Sequence, residues 1–273
     1  MWVREARAFY RWAYEGGFAL PAFNVCNLEM ALAALKAAET ERAPVILQTY
    51  PGDIELAGPG PLLSLLRALA EASPMPVLLH FDHGSSLEDV RRALAWGYPS
   101  VMYDGSSQKL EINLDTTARA ARLAHSLGAA LEAEVGRFGG HQGEFQYTDP
   151  KEALRMVQEA RVDLLAVSVG SVHGQKSRLN LDLLRSIAEI TRIPLVLHGG
   201  SGIDPEDLEA AAQLGVVKVN IGTALAQGLL QGFRLGLETA ETHYGILKRA
   251  VREAKEVILP YFRLLGASGQ VPF

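Results

Sequence analysis

Among the 273 residues there is a single cysteine, Cys26. No intrachain disulfide can form, and a reducing compartment is the expectation. No apolar run approaches the roughly 18–20 residues that a bilayer span requires. The opening stretch, MWVREARAFYRWAYEGG, has the spacing of an amphipathic helix but neither the apolar run nor the small-residue cleavage site of a secretory leader. Net charge is −5, and no run of Lys or Arg provides an electrostatic footprint for nucleic acid. No GxGxxG follows the first apolar run, which continues as AFNVCNLE, so a dinucleotide site is not indicated. Low-complexity segments and linkers are missing too. These absences predict a cytoplasmic protein with no membrane and no nucleic-acid partner, folded as a single domain over 1–273. A small phosphorylated anion stays compatible with the mild negative charge, because backbone N–H groups and one metal act locally.

What the chain does have is alternation. Short, continuous, β-branched-rich runs are expected as strands over Phe18–Val25, Pro44–Tyr50, Pro76–Asp82, Ser100–Asp104, Ala129–Val135, Leu164–Val169, Pro194–His198 and Val216–Ile221. Continuous apolar character marks parallel strands covered on both faces. Between them, Leu28–Arg42, Pro61–Glu71, Leu87–Trp96, Asn113–Gly128, Asp149–Ala160 and Asp182–Ile190 carry apolar residues at helical spacing. Ser86 and Asp204 are placed as N-caps, and Gly97, Gly128 and Gly215 fall where helices should stop. Eight units of about 34 residues predict an α/β fold, a closed TIM (β/α)₈ barrel. From Thr223 to about Leu265 the pattern is mostly helical, which predicts extra C-terminal helices packed on the barrel or on another subunit.

Polar residues able to do chemistry collect where the predicted strands end, the face that carries active sites in this architecture. The third strand ends in His80, Asp82 and His83, the fourth in Asp104, and the fifth in Glu132 and Glu134. His173 follows the sixth, His198 ends the seventh, and Asn220 the eighth. A lone histidine at a strand end is most often a satisfied core or loop residue. Three of them, His83, His173 and His198, on one rim beside carboxylates match a catalytic zinc site with three protein ligands and one open position. His80 is read as a buried neighbour, His125 and His243 as surface residues, and His141 as a residue of the loop GRFGGHQGEF. The turns HGGSG (198–202) and NIGT (220–223) follow strands seven and eight, the usual place of a phosphate cradle, with Ser201 and Thr223 as hydroxyl donors. Lys218 shares parity with Asn220, and a desolvated lysine there would allow Schiff-base chemistry instead.

In order, HFDHGSS, SVMYDGS, EAEVGRFGG, YTDP, GSVHG, LVLHGGSGI and KVNIGT closely resemble the class II, metal-dependent ketose-bisphosphate aldolases, over nearly the whole chain. The resemblance implies a lyase of carbohydrate metabolism and glycolysis that cleaves fructose 1,6-bisphosphate or tagatose 1,6-bisphosphate to dihydroxyacetone phosphate and an aldehyde. It implies His83, His173 and His198 as Zn²⁺ ligands, and Asp82 as the acid/base at the hydroxyl of the cleaved bond. Asp104 and Glu134 match a second or alternative metal position, or a monovalent-cation site. Gly174, Gly199, Gly200, Ser201, Asn220, Ile221, Gly222 and Thr223 match the region that binds the ketone half and its phosphate. A homodimer or homotetramer is implied as well. Three places depart from the family pattern: His141-Gln142-Gly143-Glu144 where adjacent acids are usual, leaving Glu144 or His141 as loop acid/base; Tyr50 for a small hydroxyl residue; and Ser107 for a histidine. A related deoxy-ketose acid phosphate, or a role as a non-catalytic aldolase subunit, are the alternatives these departures admit.

Overall fold

A computed structural model describes residues 1–138, 145–172, 174–239 and 242–271. Eight parallel strands close into a barrel: β2 (Leu20–Asn24), β3 (Val45–Thr49), β4 (Val77–Gly84), β5 (Ser100–Tyr103), β6 (Ala130–Val135), β7 (Leu164–Val167), β8 (Leu195–Leu197) and β9 (Val216–Asn220). Each pairs with its sequence neighbours, and β2 pairs with β9 to complete the ring. Almost every strand residue is buried, as the continuous apolar runs anticipated. All eight predicted strands are present with ends shifted by a residue or two, most of them shorter, while β4 runs on past Asp82 to Gly84.

The first residues correct the sequence expectation. Trp2–Val3 form a short strand, β1, and helix α1 begins only at Ala6 and runs to Gly16. The physical reason lies in β4, which starts three residues before β5 can pair with it at His80–Ser100. The exposed ladder edge at Val77 and Leu78 is taken by Trp2 and Val3. Outside the strand, the terminal amine donates to the carbonyls of Ala70, Ser73 and Met75. A second departure is a π-helical turn, Met156–Ala160, where a continuous helix from Asp149 was expected. A third is the short helix over Pro51–Ala57, which the sequence pattern did not mark. His125 is no plain surface residue: its Nε2 lies 2.8 Å from the Asp163 carboxylate, whose Oδ2 also accepts from the Leu131 N–H at 2.8 Å.

Local signals explain the outer helices. Ser86 caps the helix Leu87–Trp96 by accepting from Asp89 N, and Gly97 ends it in the left-handed region. Asp204 caps Pro205–Gln213 by accepting from Glu206 N. The helical tail is two antiparallel helices, Thr223–Thr239 and His243–Leu264, hereafter the penultimate and final helices. Gly228, Gly232 and Gly236 lie one turn apart on the penultimate helix and face the final one. A Cβ on Gly228 would sit 2.8 Å from Ala254 Cα, one on Gly236 2.9 Å from Ile246 Cα, and one on Gly232 would collide with Ala250. Bare backbone lets the two helices approach until neither has room for a methyl group. Ala250, Ala254, Ile258 and Phe262, at four-residue spacing, bury the inner stripe of the final helix, and Phe262 stacks against Phe23 of β2 with ring centroids 5.7 Å apart. No helix among the described residues is long and apolar enough to cross a membrane.

Candidate active site

The C-terminal ends of β4, β6, β8 and β9 bring the charged residues together, and β4 does so through an irregularity. Asp82 and His83 are adjacent, so plain strand alternation would send them to opposite faces. A bulge between Phe81 and Gly84 breaks the register with β5, and His83 takes a left-handed backbone with φ of 51°. An L-residue there costs about 1–2 kcal/mol. The bulge aims both side chains at one spot: ligand-competent atoms of Asp82, His83 and His198 lie within 4.8 Å of one another, as do those of His83, Asp104 and Glu134.

Asp82 is held by a clamp of amides that the sequence did not reveal. Asn24 Nδ2 and Gln48 Nε2 donate to its Oδ2 at 3.1 and 3.0 Å, and Asn220 Nδ2 reaches both oxygens at 3.1 and 3.2 Å. Gln48 also donates to Asn24 Oδ1 at 3.0 Å, which keys the two amides to each other. Burial pushes the Asp82 carboxyl up, but the positive charges of His83, Lys218 and His198 override it and hold it far below the ordinary carboxylate range. Asp82 is therefore an ionised carboxylate held in a fixed orientation. The signal for Asn24 and Gln48 was present but faint: each is an inward polar residue at the end of an otherwise apolar run.

The two histidines are oriented differently. His83 Nδ1 lies 2.8 Å from Asp104 Oδ2, and Asp104 Oδ1 accepts from the Ser106 N–H and hydroxyl at 3.1 and 2.7 Å. Arg137 ties down the same loop by donating to the carbonyls of Ser106 and Ser107 at 3.0 and 3.2 Å. Burial raises the Asp104 carboxyl, but its bonds and the His83 charge win and bring it down to about 2. His198 is fully buried, with Nε2 at 3.2 Å from Glu132 Oε1 and Nδ1 at 3.4 Å from Glu134 Oε2. Its ring meets that of His83 edge-on at 4.6 Å and lies 4.9 Å from Phe138. Burial lowers the His198 imidazole, yet Glu132 and Glu134 override it and lift the ring to about 10.

These observations test whether a metal fits. Glu134 is buried with two carboxylate oxygens that accept no hydrogen bond of ordinary geometry among the described residues. Its carboxyl is raised by burial and then by Asp104. The carboxylates of Glu132 and Glu134 around His198 make a pocket that favours positive charge at that place. Imidazole nitrogens and carboxylate oxygens are the donors of zinc and neighbouring divalent ions. The residues fit.

Beneath this rim lies a second charged layer. Lys218 is fully buried, and its Nζ lies 2.9 Å from Glu132 Oε2 and 3.9 Å from Asp82 Oδ1. His80 is buried as well, 3.5 Å from the same Glu132 oxygen, with Nδ1 at 2.7 Å from Ser100 Oγ. Tyr10 OH lies 2.9 Å from that hydroxyl. Burial and the Lys218 charge drive the His80 ring down to about 3, so it is neutral.

On the β8–β9 side, Gly199 has φ of 69° and Gly200–Gly202 form a single 3₁₀ turn against the start of the penultimate helix. A Cβ on Gly200 would meet the Asn220 carbonyl at 2.9 Å, and one on Gly222 would meet Asn24 Oδ1 at 3.2 Å. Ser201 Oγ accepts from Ala224 N at 3.0 Å, while Tyr261 of the final helix donates to the Ser201 carbonyl at 3.3 Å. Ile221 is buried and Thr223 opens the penultimate helix. Gly174, with φ of 71°, follows His173. His173, His141 and Glu144 themselves lie outside the described residues. Tyr50, half exposed, precedes the Pro51–Ala57 helix, and its N–H donates to Asp53 at 3.1 Å. Cys26 is partly buried against Met30, with sulfurs 3.6 Å apart.

Comparison with known proteins agrees with this arrangement. Residues 4–270 match the family model described as fructose-bisphosphate aldolase class-II. A Bacillus subtilis (strain 168) protein named "Probable fructose-bisphosphate aldolase" is 38% identical over 94% of this chain and 95% of its own. The "D-tagatose-1,6-bisphosphate aldolase subunit GatY" of Klebsiella oxytoca is 34% identical over 99% of this chain and 100% of its own. Among solved structures, the YdjI aldolase of Escherichia coli K12 superposes with a TM-score of 0.89 at 30% identity, covering 98% of both chains. The barrel, the residues gathered at its rim and these likenesses lead to one conclusion: the chain belongs to the class II fructose-bisphosphate aldolase family of metal-dependent lyases.

Proposed function

We propose that this chain is a zinc-dependent aldolase that reversibly cleaves a ketose bisphosphate, fructose 1,6-bisphosphate or tagatose 1,6-bisphosphate, to dihydroxyacetone phosphate and glyceraldehyde 3-phosphate. The observation that carries the proposal is the convergence of Asp82, His83 and His198 within 4.8 Å, with Asp82 clamped by three amides. His83 and His198, joined by His173, would hold the ion, and Asp104 with Glu134 would form a second or alternative position for a metal or a monovalent cation. Bound zinc supplies Lewis-acid stabilisation of the negative charge that develops on the ketone oxygen.

The remaining work falls to side chains. Asp82 takes the proton from the hydroxyl on the carbon of the breaking bond and returns it in the synthetic direction. Asn24, Gln48 and Asn220 keep that carboxylate aimed, so no reorganisation accompanies proton transfer. The Gly199–Gly202 turn, Gly174, Ile221, Gly222 and Thr223 present backbone N–H groups and a helix N-terminus to the phosphate of the ketone half. Glu144 or His141 exchanges the proton on the carbon that becomes nucleophilic. A Schiff base is disfavoured, because the Lys218 ammonium is engaged by Glu132 at 2.9 Å and has no access to solvent. The exposed Leu230 and Leu237 on the penultimate helix support a homodimer or homotetramer, and a cytoplasmic location suits the sugar-phosphate substrate.

The test is cleavage of both bisphosphates and of a deoxy-ketose acid phosphate, before and after EDTA, with zinc, cobalt, iron or manganese returned. Activity lost to EDTA and restored best by zinc is the expected result, and the preferred sugar names the substrate. EDTA-resistant cleavage trapped by borohydride would refute the zinc reading. A metal-loaded chain inactive on all three substrates would instead indicate a subunit role.

A further inference from the structure

One buried group has no part in the chemistry above. Glu132 shares strand parity with Glu134 but lies one layer deeper, wholly enclosed. Three nitrogens surround its carboxylate: Lys218 Nζ at 2.9 Å, His198 Nε2 at 3.2 Å and His80 Nε2 at 3.5 Å. A buried carboxylate without a compensating cation is costly, and Lys218 provides that cation with no exposure of its own. Directionality around the hub is consistent. His80 Nδ1 lies 2.7 Å from Ser100 Oγ, itself 2.9 Å from Tyr10 OH; with the Ser100 hydroxyl donating to Nδ1, the His80 Nε2 carries the proton and turns it toward Glu132. An ionised carboxylate is an acceptor only, so every nitrogen facing Glu132 must be a donor. His198 Nδ1 faces Glu134 Oε2 at 3.4 Å, a contact outside hydrogen-bond geometry, and a cation held between the two would take the place of a proton there.

Resting on the zinc reading above, we propose that Glu132, neutralised by Lys218, is a positioning residue that fixes His198 as the Nε2–H tautomer and so dedicates its Nδ1 to the metal. His83 has the opposite arrangement. Its Nδ1 faces Asp104 at 2.8 Å, which leaves Nε2 for the ion. The two rings therefore offer different nitrogens to one point, each set by a carboxylate behind it. The Lys218–Glu132 pair has a purpose that neither a nucleophile nor a plain core ion pair would have: it permits a full negative charge under a metal ligand without leaving that charge unmatched. Carboxylates behind metal-bound imidazoles tighten metal binding about 10–100-fold in general.

The first experiment uses the full-length wild-type protein, ¹⁵N-labelled at histidine and loaded with zinc. Long-range ¹H–¹⁵N correlation reads the tautomer of each ring, with the His198 signals assigned by their loss in His198→Gln. The expected result is a protonated Nε2 and a metal-bound Nδ1 on His198, with the reverse on His83. A metal-bound Nε2 on His198 overturns the proposal. The second experiment measures zinc affinity by chelator competition in Glu132→Gln and in Glu132→Gln/Lys218→Met, with circular dichroism of the metal-free forms to establish folding. In Glu132→Gln an amide enters a ring of donors, and zinc binding weakens about 10–100-fold. The double variant, with both charges removed, shows the same loss. A loss of less than about tenfold in either folded variant also overturns the proposal, taking the lower end of that range as the threshold. If the variants do not fold, the wild-type tautomer decides alone. Wild-type protein that binds no divalent metal defeats the zinc reading and this role with it, whereas unaffected variants defeat this role only.

Discussion

Replacing Gln48 with glutamate changes one nitrogen to oxygen at the most enclosed point of the Asp82 clamp. Gln48 is fully buried, and its Nε2 stands 3.0 Å from Asp82 Oδ2. The substitution therefore puts a second carboxylate oxygen at hydrogen-bond distance from the first, with no water to separate them. At an effective dielectric of about 20, two unit charges about 4 Å apart repel by about 4 kcal/mol. That corresponds to about three pKa units of coupling, so the two carboxyls titrate as a pair that keeps one proton well above the ordinary range. Two readouts follow. In aldol cleavage, kcat/KM of Gln48→Glu gains an acid limb near neutrality, with activity low at pH 6 and recovering as the pair loses its proton. In thermal unfolding, the sign comes from a folded-state pKa raised above the unfolded one. The contribution of the shared proton is fully present below the unfolded carboxyl pKa of about 4 and is lost as pH rises through the pair's value. The gap in Tm between wild type and Gln48→Glu thus widens from pH 4 to pH 8. A variant with the wild-type pH profile and a constant Tm gap would show that Asp82 is not the proton-transfer group or that Gln48 does not face it.

Four further substitutions probe the frame around the site. Gly232→Ala places a methyl group against the Ala250 backbone; overpacking of about 1–3 kcal/mol exceeds the roughly 1 kcal/mol of helix propensity gained, so Tm falls by a few degrees. Gly60→Ala, where a Cβ meets nothing within 4 Å, is the control and leaves Tm unchanged or slightly higher. Asp163→Ala orphans the Leu131 N–H and releases His125, which costs about 1–3 kcal/mol in urea unfolding. Asp53 is raised to about 6, chiefly by burial, so stability linked to its protonated form is present below about pH 4 and lost as pH rises through 6. Asn at that position still accepts the Tyr50 N–H, so Asp53→Asn raises stability at pH 8 by about 1–2 kcal/mol, discounted for partial exposure, and leaves it unchanged at pH 4.

Much of this architecture was legible because a parallel barrel writes itself as separate apolar runs. Val45–Thr49 or Leu164–Val167 has few other ways to bury a continuous apolar segment. Parity carried part of the interior: His80 and Asp82, Glu132 and Glu134, and Lys218 and Asn220 each lie two apart and share the inward face. What parity could not deliver was Asp82 and His83 on one side, because a bulge leaves no fixed mark in residue types. The amide clamp was hidden for another reason. Asn24, Gln48 and Asn220 meet only when the sheet closes, and their partner Asp82 is 58, 34 and 138 residues away. β1 escaped notice because its two residues pair only with the overhang of β4, and His125 because its partner Asp163 lies on another element.

The bulge in β4 also sets a phase. Up to Phe81 the strand keeps an ordinary two-residue beat, and its apolar ladder to β3 runs unbroken from Val77 to Phe81. The extra residue shifts that beat by one step just as the strand leaves the core. Without that step the residue after Asp82 would turn away from the axis, while the ladder below would be untouched. Whether two consecutive side chains share the rim or part from each other is thus decided by one residue of phase, at a place where the β3 ladder below registers no difference.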